Sequence, residues 1–176
     1  MRFHRITRES DSLFSESFKI YESSFPLHEQ RPLVYQKEIL PHPDYYFEVA
    51  LRDDELVGIV CYWKTGAYIY VEHFAISPGL RGQSFGSNCL EALCRRYELV
   101  ILEIDPPVDS VSIRRERFYV KLDFRKNDYP YKHPAYRKGY EPYPLVIMSY
   151  PRSIGQSEYA DFNDYVRTTV MLNVEK

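Results

Sequence analysis

The chain has 176 residues, 44% of them hydrophobic and 16% aromatic, and 23 Lys and Arg stand against 25 Asp and Glu for a formal net charge of -2. That length supports one complete core rather than two, so residues 1–176 are read as a single domain. The balanced charge excludes the strongly basic footprint of a nucleic-acid binder, and the apolar content excludes disorder. The longest apolar stretches, Leu56 to Trp63 and Leu145 to Met148, fall well short of the roughly 20 residues that span a bilayer. The charged start MRFHRITRES has no apolar run after it and does not read as a signal peptide. Cys61, Cys89 and Cys94 form no CxxC pair, and the five histidines are scattered. The expectation is therefore a cytoplasmic protein with reduced thiols, no metal site, no membrane anchor and no nucleic-acid partner.

Asp11 or Ser10 can cap a helix that runs to Phe25 and carries Leu13, Phe14, Phe18, Tyr21 and Phe25 on one face. A second short helix fits Leu33 to Leu40, ended by Pro41. Tyr45–Leu51, Glu55–Lys64 and Ala67–Ile76 are rich in Val, Ile, Tyr and Phe, with Asp53-Asp54 and Thr65-Gly66 between them. That pattern predicts a three-stranded antiparallel meander with tight turns. Helical spacing returns over Gly86 to Tyr97, and the apolar run Leu99 to Ile104 predicts a strand covered on both faces. A helix over Val111 to Leu122, a strand over Leu145 to Tyr150 and a terminal helix over Ser157 to Leu172 complete the order. Asn127 to Pro151 reads as a twisted hairpin with stiff loops, or else as an aromatic rim formed by Tyr129, Tyr131, Tyr136 and Tyr140. The sum is a mixed α/β layered fold.

The segment richest in chemistry is YVEHFAISPGLRGQSFGSNCL, from Tyr70 to Leu90. A strand, a small-residue loop and a helix start aim unpaired N–H groups and the positive end of a helix dipole at one point, which favours phosphate. Gly82 and Gly86 let backbone approach the anion, and Arg81 adds charge. Neither GxGxxG nor GxxxxGK[ST] is present, so dinucleotide and nucleoside triphosphate sites lose support.

Arg81-Gly82-Gln83-Ser84-Phe85-Gly86 resembles the R/Q-x-x-G-x-G/A loop of the GNAT superfamily, the acyl-CoA-dependent N-acetyltransferases. Upstream, Glu72-His73-Phe74-Ala75-Ile76-Ser77-Pro78 is similar to that family's fourth strand, and downstream Leu102-Glu103-Ile104 is similar to its fifth. Arg114 to Phe124, RRERFYVKLDF, resembles the helix that ends FY-x-K-x-G-F. Ser84 stands in place of the loop's middle glycine, Asp123 in place of the glycine before Phe124, and Ser112 where an Asn is common. Ser84 still supplies an N–H, and its hydroxyl can cap the helix or touch phosphate. Asp123 belongs to the residue types that tolerate left-handed geometry.

The resemblance implies a central mixed sheet of six to seven strands with helices on both faces, and transfer of acetyl from acetyl-CoA to an amine. It implies a coenzyme site along Phe74, Ala75 and Ile76, where Phe74 and Ile76 pair with the pantetheine arm, and along Arg81, Gly82, Gln83, Ser84, Phe85, Gly86 and Ser87 at the pyrophosphate. Tyr119, the Tyr of the FY pair, is the implied acid. The base is left among Glu103, Glu72 and an ordered-water route with neither. His73 reads as a core side chain. The acceptor is a small-molecule or protein amine, and the terminal helix either covers the core or forms a homodimer contact. A non-catalytic acyl-CoA-binding module, and a binder of some other phosphate ligand, are the alternatives.

Overall fold

The computed structural model describes residues 1–175. Five helices pack on a seven-stranded sheet of order β1-β2-β3-β4-β5-β9-β6, beside a separate two-stranded β7–β8 ribbon. The meander forms as the alternation predicts: β2 (Tyr45–Arg52), β3 (Glu55–Lys64) and β4 (Ile69–Ile76) are antiparallel neighbours. Asp53 and Asp54 both adopt positive φ, 50° and 64°, as a tight hairpin turn matching the strand twist requires. A further strand, β1 (Arg2–Ile6), pairs antiparallel with β2 at the sheet edge. It is absent from the sequence reading because RFHRI is largely half-exposed and carries three basic side chains, so it offers no apolar run.

α1 (Phe14–Ser24), α2 (Leu33–Ile39) and α5 (Gln156–Thr168) cover one face of the sheet. Phe14, Phe18, Tyr21, Ile39, Phe162 and Val166 join Phe47, Ile59 and Trp63 there in one buried cluster. The terminal helix thus covers the core, ending at Thr168 before a 3-10 turn. α3 (Phe85–Cys94) and α4 (Ser110–Lys121) cover the other face, where Leu90, Leu93 and Tyr119 pack on Val60, Val71 and Leu102. α1 starts later than expected; Asp11 Oδ1 accepts from the Leu13 N–H (3.0 Å) in the turn before it. α3 stops at Cys94, and Arg96 makes a bidentate pair with Glu48 at 2.7 and 2.8 Å.

The segment expected as one hairpin is more divided. β6 (Arg125–Asn127) pairs antiparallel with β9 (Val146–Tyr150), while β7 (Lys132–His133) and β8 (Tyr143–Pro144) form the ribbon between them. Tyr131 and Tyr136 are buried rather than at a rim, Tyr129 stacks on Tyr159 at 4.2 Å, and Tyr140 is exposed.

Among the described residues the only parallel pairing lies between β4 and β5 (Val100–Ile104), and it is short. Ile69, Tyr70 and Val71 face Val100, Ile101 and Leu102; beyond that point β4 stays on β3, while Glu103 and Ile104 pair only with β9. Where the strands part, Cys61 faces His73 and Tyr62 faces Val71, so Glu72 is the extra residue of a β-bulge. A bulge bends its strand and increases its twist, which turns β4 away from β5 and opens a wedge in the sheet.

Gly58 allows the close approach of β3 to the far end of β4. A Cβ there would sit 3.1 Å from Ile76 Cα and closer still to the Ala75 carbonyl oxygen. Gly58→Ala is expected to lower unfolding free energy by about 1–3 kcal/mol. Gly66→Ala, whose Cβ meets nothing within 4 Å, is expected to stay within about 0.5 kcal/mol. Urea denaturation of both variants measures the difference.

Candidate active site

The wedge opens into a cleft of about 1360 Å³ that runs from the start of α3, past the strand ends, to the turn after α1. Its first half is built from backbone. A 3-10 turn at Pro78–Leu80 leads into Gly82, φ 78°, and Ser84, φ 63°, and α3 starts at Phe85. The Leu80 N–H donates to Ser77 O and the Asn88 N–H to Ser84 O. Between them, the N–H groups from Arg81 through Ser87 have no acceptor among the described residues. Consecutive bare donors at a helix N-terminus are an anion site. Gly86 keeps it open: a Cβ there would lie 3.3 Å from Phe118 Cζ and 3.7 Å from Ile76 Cγ1.

Phe74, Ala75, Ile76, Arg81, Gly82, Ser84, Gly86 and Ser87 all line the cleft. Gln83 reaches back to Gly79 O (3.4 Å), and Phe85 is buried beneath Arg52, so the side chains of these two stay outside it. The Ser84 hydroxyl makes no capping bond, contrary to expectation; its left-handed backbone is what the turn uses. Arg81 braces the loop, donating from Nε to Ile76 O (3.1 Å) and from Nη2 to Ser24 Oγ (3.1 Å). The Ser77 N–H donates to Val57 O (2.9 Å), so strand alternation turns the main-chain groups of Phe74 and Ile76 away from β3, toward the wedge. Ser112 lies inside α4, where its hydroxyl closes a capping box with Asp109. Asp123 adopts φ 63° and takes the left-handed turn that the missing glycine would have supplied.

The second half is built from side chains. Tyr119 lines the cleft from α4, and burial pushes its phenol up to about 12. Glu103 lines the cleft from β5, on the opposite face of the sheet from Tyr119, with a side chain 6% exposed. One oxygen, Oε2, accepts from Tyr70 Oη (2.8 Å); the other, Oε1, has no partner. Burial raises the Glu103 carboxyl above the ordinary range, against the pull of His133, Tyr131 and Tyr70.

Glu72 has another use. Its Oε1 accepts from Arg31 Nη2 (2.7 Å) and Tyr136 Oη (2.8 Å), and its Oε2 from Trp63 Nε1 (2.9 Å), with 1% of the side chain exposed. Burial is the largest influence and raises this carboxyl, but the Arg31 guanidinium and the hydrogen bonds from Tyr136 and Trp63 act in the other direction and together hold the group ionised below its usual range. A carboxylate so fully engaged is a fixed anion and a poor proton acceptor, so the structure removes it from the candidate bases. His73 packs edge-on against Tyr21 and Phe25, and its Nε2 donates to Glu29 O (2.8 Å), with burial holding the ring neutral.

The residue that the sequence reading lacks is Glu29, in the 3-10 turn Leu27–Glu29 after α1. It lines the cleft opposite Asp105 and Arg115, and its carboxyl is raised to about 7, by burial first and then by Asp105. Asp105 and Arg115 pair with each other. No spacing motif marks Glu29, because its neighbours across the cleft lie far away in the chain.

A wedge between strands, a bare-amide turn and facing ionisable groups define a class of coenzyme-dependent transfer sites. Comparison with known proteins gives the family. The profile of the Acetyltransferase (GNAT) family matches residues 11–124, and the chain belongs to that family. Its sequence is 22% identical over 103 residues to YjbC of Bacillus subtilis (strain 168), assigned to the acetyltransferases; the match spans 57% of this chain and 52% of that protein, about half its length. A GNAT-family protein from Bacteroides thetaiotaomicron superposes with TM-score 0.91 at 28% identity, over 97% of this chain and 98% of that one. An aminoglycoside 6'-N-acetyltransferase solved with coenzyme A shares the fold with TM-score 0.61 at 14% identity, over 88% of this chain and 100% of that one.

Because the folded Glu29 carboxyl titrates higher than the unfolded one, its contribution to stability is present in acid and lost as pH rises from 4.5 through about 7. Glu29→Gln is expected to melt at a higher temperature than the parent near pH 8, with the advantage gone below pH 4.5. Thermal melts across that range read the effect, and equal melting temperatures at both ends would refute the placement of this carboxylate.

Proposed function

We propose that the protein is an N-acetyltransferase that moves acetyl from acetyl-CoA to a primary amine by direct attack of the amine on the thioester. The observation that carries this reading is the wedge after Val71 and Leu102, with bare amides from Arg81 to Ser87 at one end and Glu103 and Tyr119 at its waist. The amides suit the coenzyme's pyrophosphate, and the free edge of β4 at Phe74 and Ile76 suits its pantetheine arm. An N–H on that edge also suits polarisation of the thioester carbonyl.

An alkylamine reaches the cleft almost fully protonated at neutral pH, since its ordinary pKa is about 10.4. Glu103 takes that proton on Oε1, directly or through water, freeing the nitrogen's electron pair to form the new C–N bond. Its raised affinity for protons suits it to do so near neutrality. As the C–S bond breaks, Tyr119 hydrogen-bonds the departing sulfur. A phenol at about 12 is a weaker acid than a thiol near 8.5, so its part is to stabilise the thiolate while the second nitrogen proton moves to sulfur. Glu29, with Phe25, His28 and Tyr143 around the acceptor end, suits an incoming ammonium of a small molecule or a protein.

Acetyl-CoA is expected to raise the melting temperature of the parent, and an Arg81→Glu, Gly86→Asp double variant is expected to lose that shift. Against a panel of amines, Tyr119→Phe and Glu103→Gln are expected to lower kcat by about 10²-fold or more. Full turnover in Tyr119→Phe removes the tyrosine from the mechanism. Tight acetyl-CoA binding without transfer to any amine would favour a non-catalytic acyl-CoA-binding module.

A further inference from the structure

Around His133, behind Glu103, one protonation pattern satisfies the hydrogen-bond geometry best. His133, on β7, has a side chain 1% exposed. Its Nδ1 lies 2.6 Å from Pro134 O, and a carbonyl can only accept, so Nδ1 carries a proton. Its Nε2 lies 3.3 Å from Tyr136 Oη and 4.0 Å from Glu103 Oε2. Tyr136 has one hydroxyl proton, and that proton is committed to Glu72 Oε1 at 2.8 Å, an oxygen kept ionised by Arg31. The tyrosine therefore offers His133 only lone pairs. With a neutral ring, two lone pairs would face each other at 3.3 Å, and Glu103 would be a buried anion without a countercharge. With a second proton on Nε2 the imidazolium donates to Tyr136 and stands beside the Glu103 carboxylate, so both requirements are met together.

We propose that Glu103 and His133 share a single buried proton, carried by His133 at rest, and that His133 is the positioning residue that holds Glu103 ionised and ready. The other groups facing them do not compete. Tyr70 on β4, Tyr131 before β7, Tyr136 and Tyr143 on β8 are all raised by burial and stay protonated, and Glu72 is neutralised by Arg31. During transfer, the acceptor nitrogen's proton goes to Glu103 Oε1 and its electron pair stays on nitrogen. His133 keeps its own proton, and Glu103 returns the extra one to solvent after the products leave. The catalytic consequence rests on the proposed function; the shared proton does not.

The test is nitrogen NMR on the full chain labelled with ¹⁵N-histidine, without coenzyme or acceptor, with the His133 signals assigned by their loss in His133→Gln. In the parent near pH 7, both ring nitrogens of His133 are expected to be protonated. In Glu103→Gln, Nε2 is expected to lose its proton while Nδ1 keeps it. A neutral His133 in the parent, or an imidazolium unchanged in Glu103→Gln, overturns the proposal. If Glu103→Gln does not fold, carboxyl ¹³C NMR of His133→Gln decides: Glu103 is expected to be protonated near pH 7 there and ionised in the parent, and an ionised Glu103 in both overturns it. A confirmed pair together with full amine acetylation by Glu103→Gln would leave the shared proton standing and remove Glu103 as the base.

Discussion

The buried pair of Arg31 and Glu72 is the constraint on which the rest of the architecture turns. Both side chains are essentially out of solvent, at 0% and 1% exposure. Removing one partner of such a pair leaves an uncompensated buried charge, at a cost of about 3–5 kcal/mol, so the two are retained or lost together. Their positions matter more than their mutual attraction. Arg31 leads into α2 and also donates to Val170 O (2.9 Å) and to Asn173 O, which ties the end of the chain to its beginning. Glu72 is the extra residue of the β4 bulge and also accepts from Trp63 on β3 and from Tyr136. The bulge is thereby pinned where β4 leaves β5, and the wedge is an enforced feature of the sheet.

That arrangement separates the two faces of the cleft by chemistry. On the side of α3, binding capacity comes from main chain: bare amides, a free strand edge, and a glycine packed closely by Phe118. On the side of α1 and α5, it comes from ionisable side chains in a low-dielectric setting. There, small differences in partners send similar groups in opposite directions. Glu72 and Glu103 stand on adjacent strands and face the same way, yet the guanidinium beside one lowers it while burial raises the other. Environments that push a pair of carboxyls apart leave a fixed anion beside a group that holds a proton more readily.

Much of this was legible in the residues. The meander and the fifth strand followed from period and β-branched content, and the anion turn followed from strand, glycines and helix in succession. Tyr119, Glu103 and the stretch Phe74 to Ser87 were singled out through a resemblance in their order along the chain, and Tyr119, Glu103 and much of that stretch line the cleft. What stayed hidden depends on partners far apart in sequence. Arg31 and Glu72 are 41 positions apart, and no local pattern distinguishes a glutamate on a strand that will meet a guanidinium from one that will not. Glu29 is unremarkable in LHEQR until the fold brings Asp105 and Arg115 across from it. β1 and the 125–150 region were obscured for a different reason: they are short, half-buried strands, in which periodicity has too few residues to register.

The sequence by itself therefore determined most of the longer elements and the backbone that can meet a phosphate, because those rest on local rules of side-chain period, glycine freedom and helix ends, while the family was carried by a resemblance of motifs in order. Only the tertiary structure decided which carboxylates are spent and which are available. Ionisation in a protein interior is set by the sum of burial and neighbouring charge, and that sum exists only once distant segments have been brought within a few ångströms of one another.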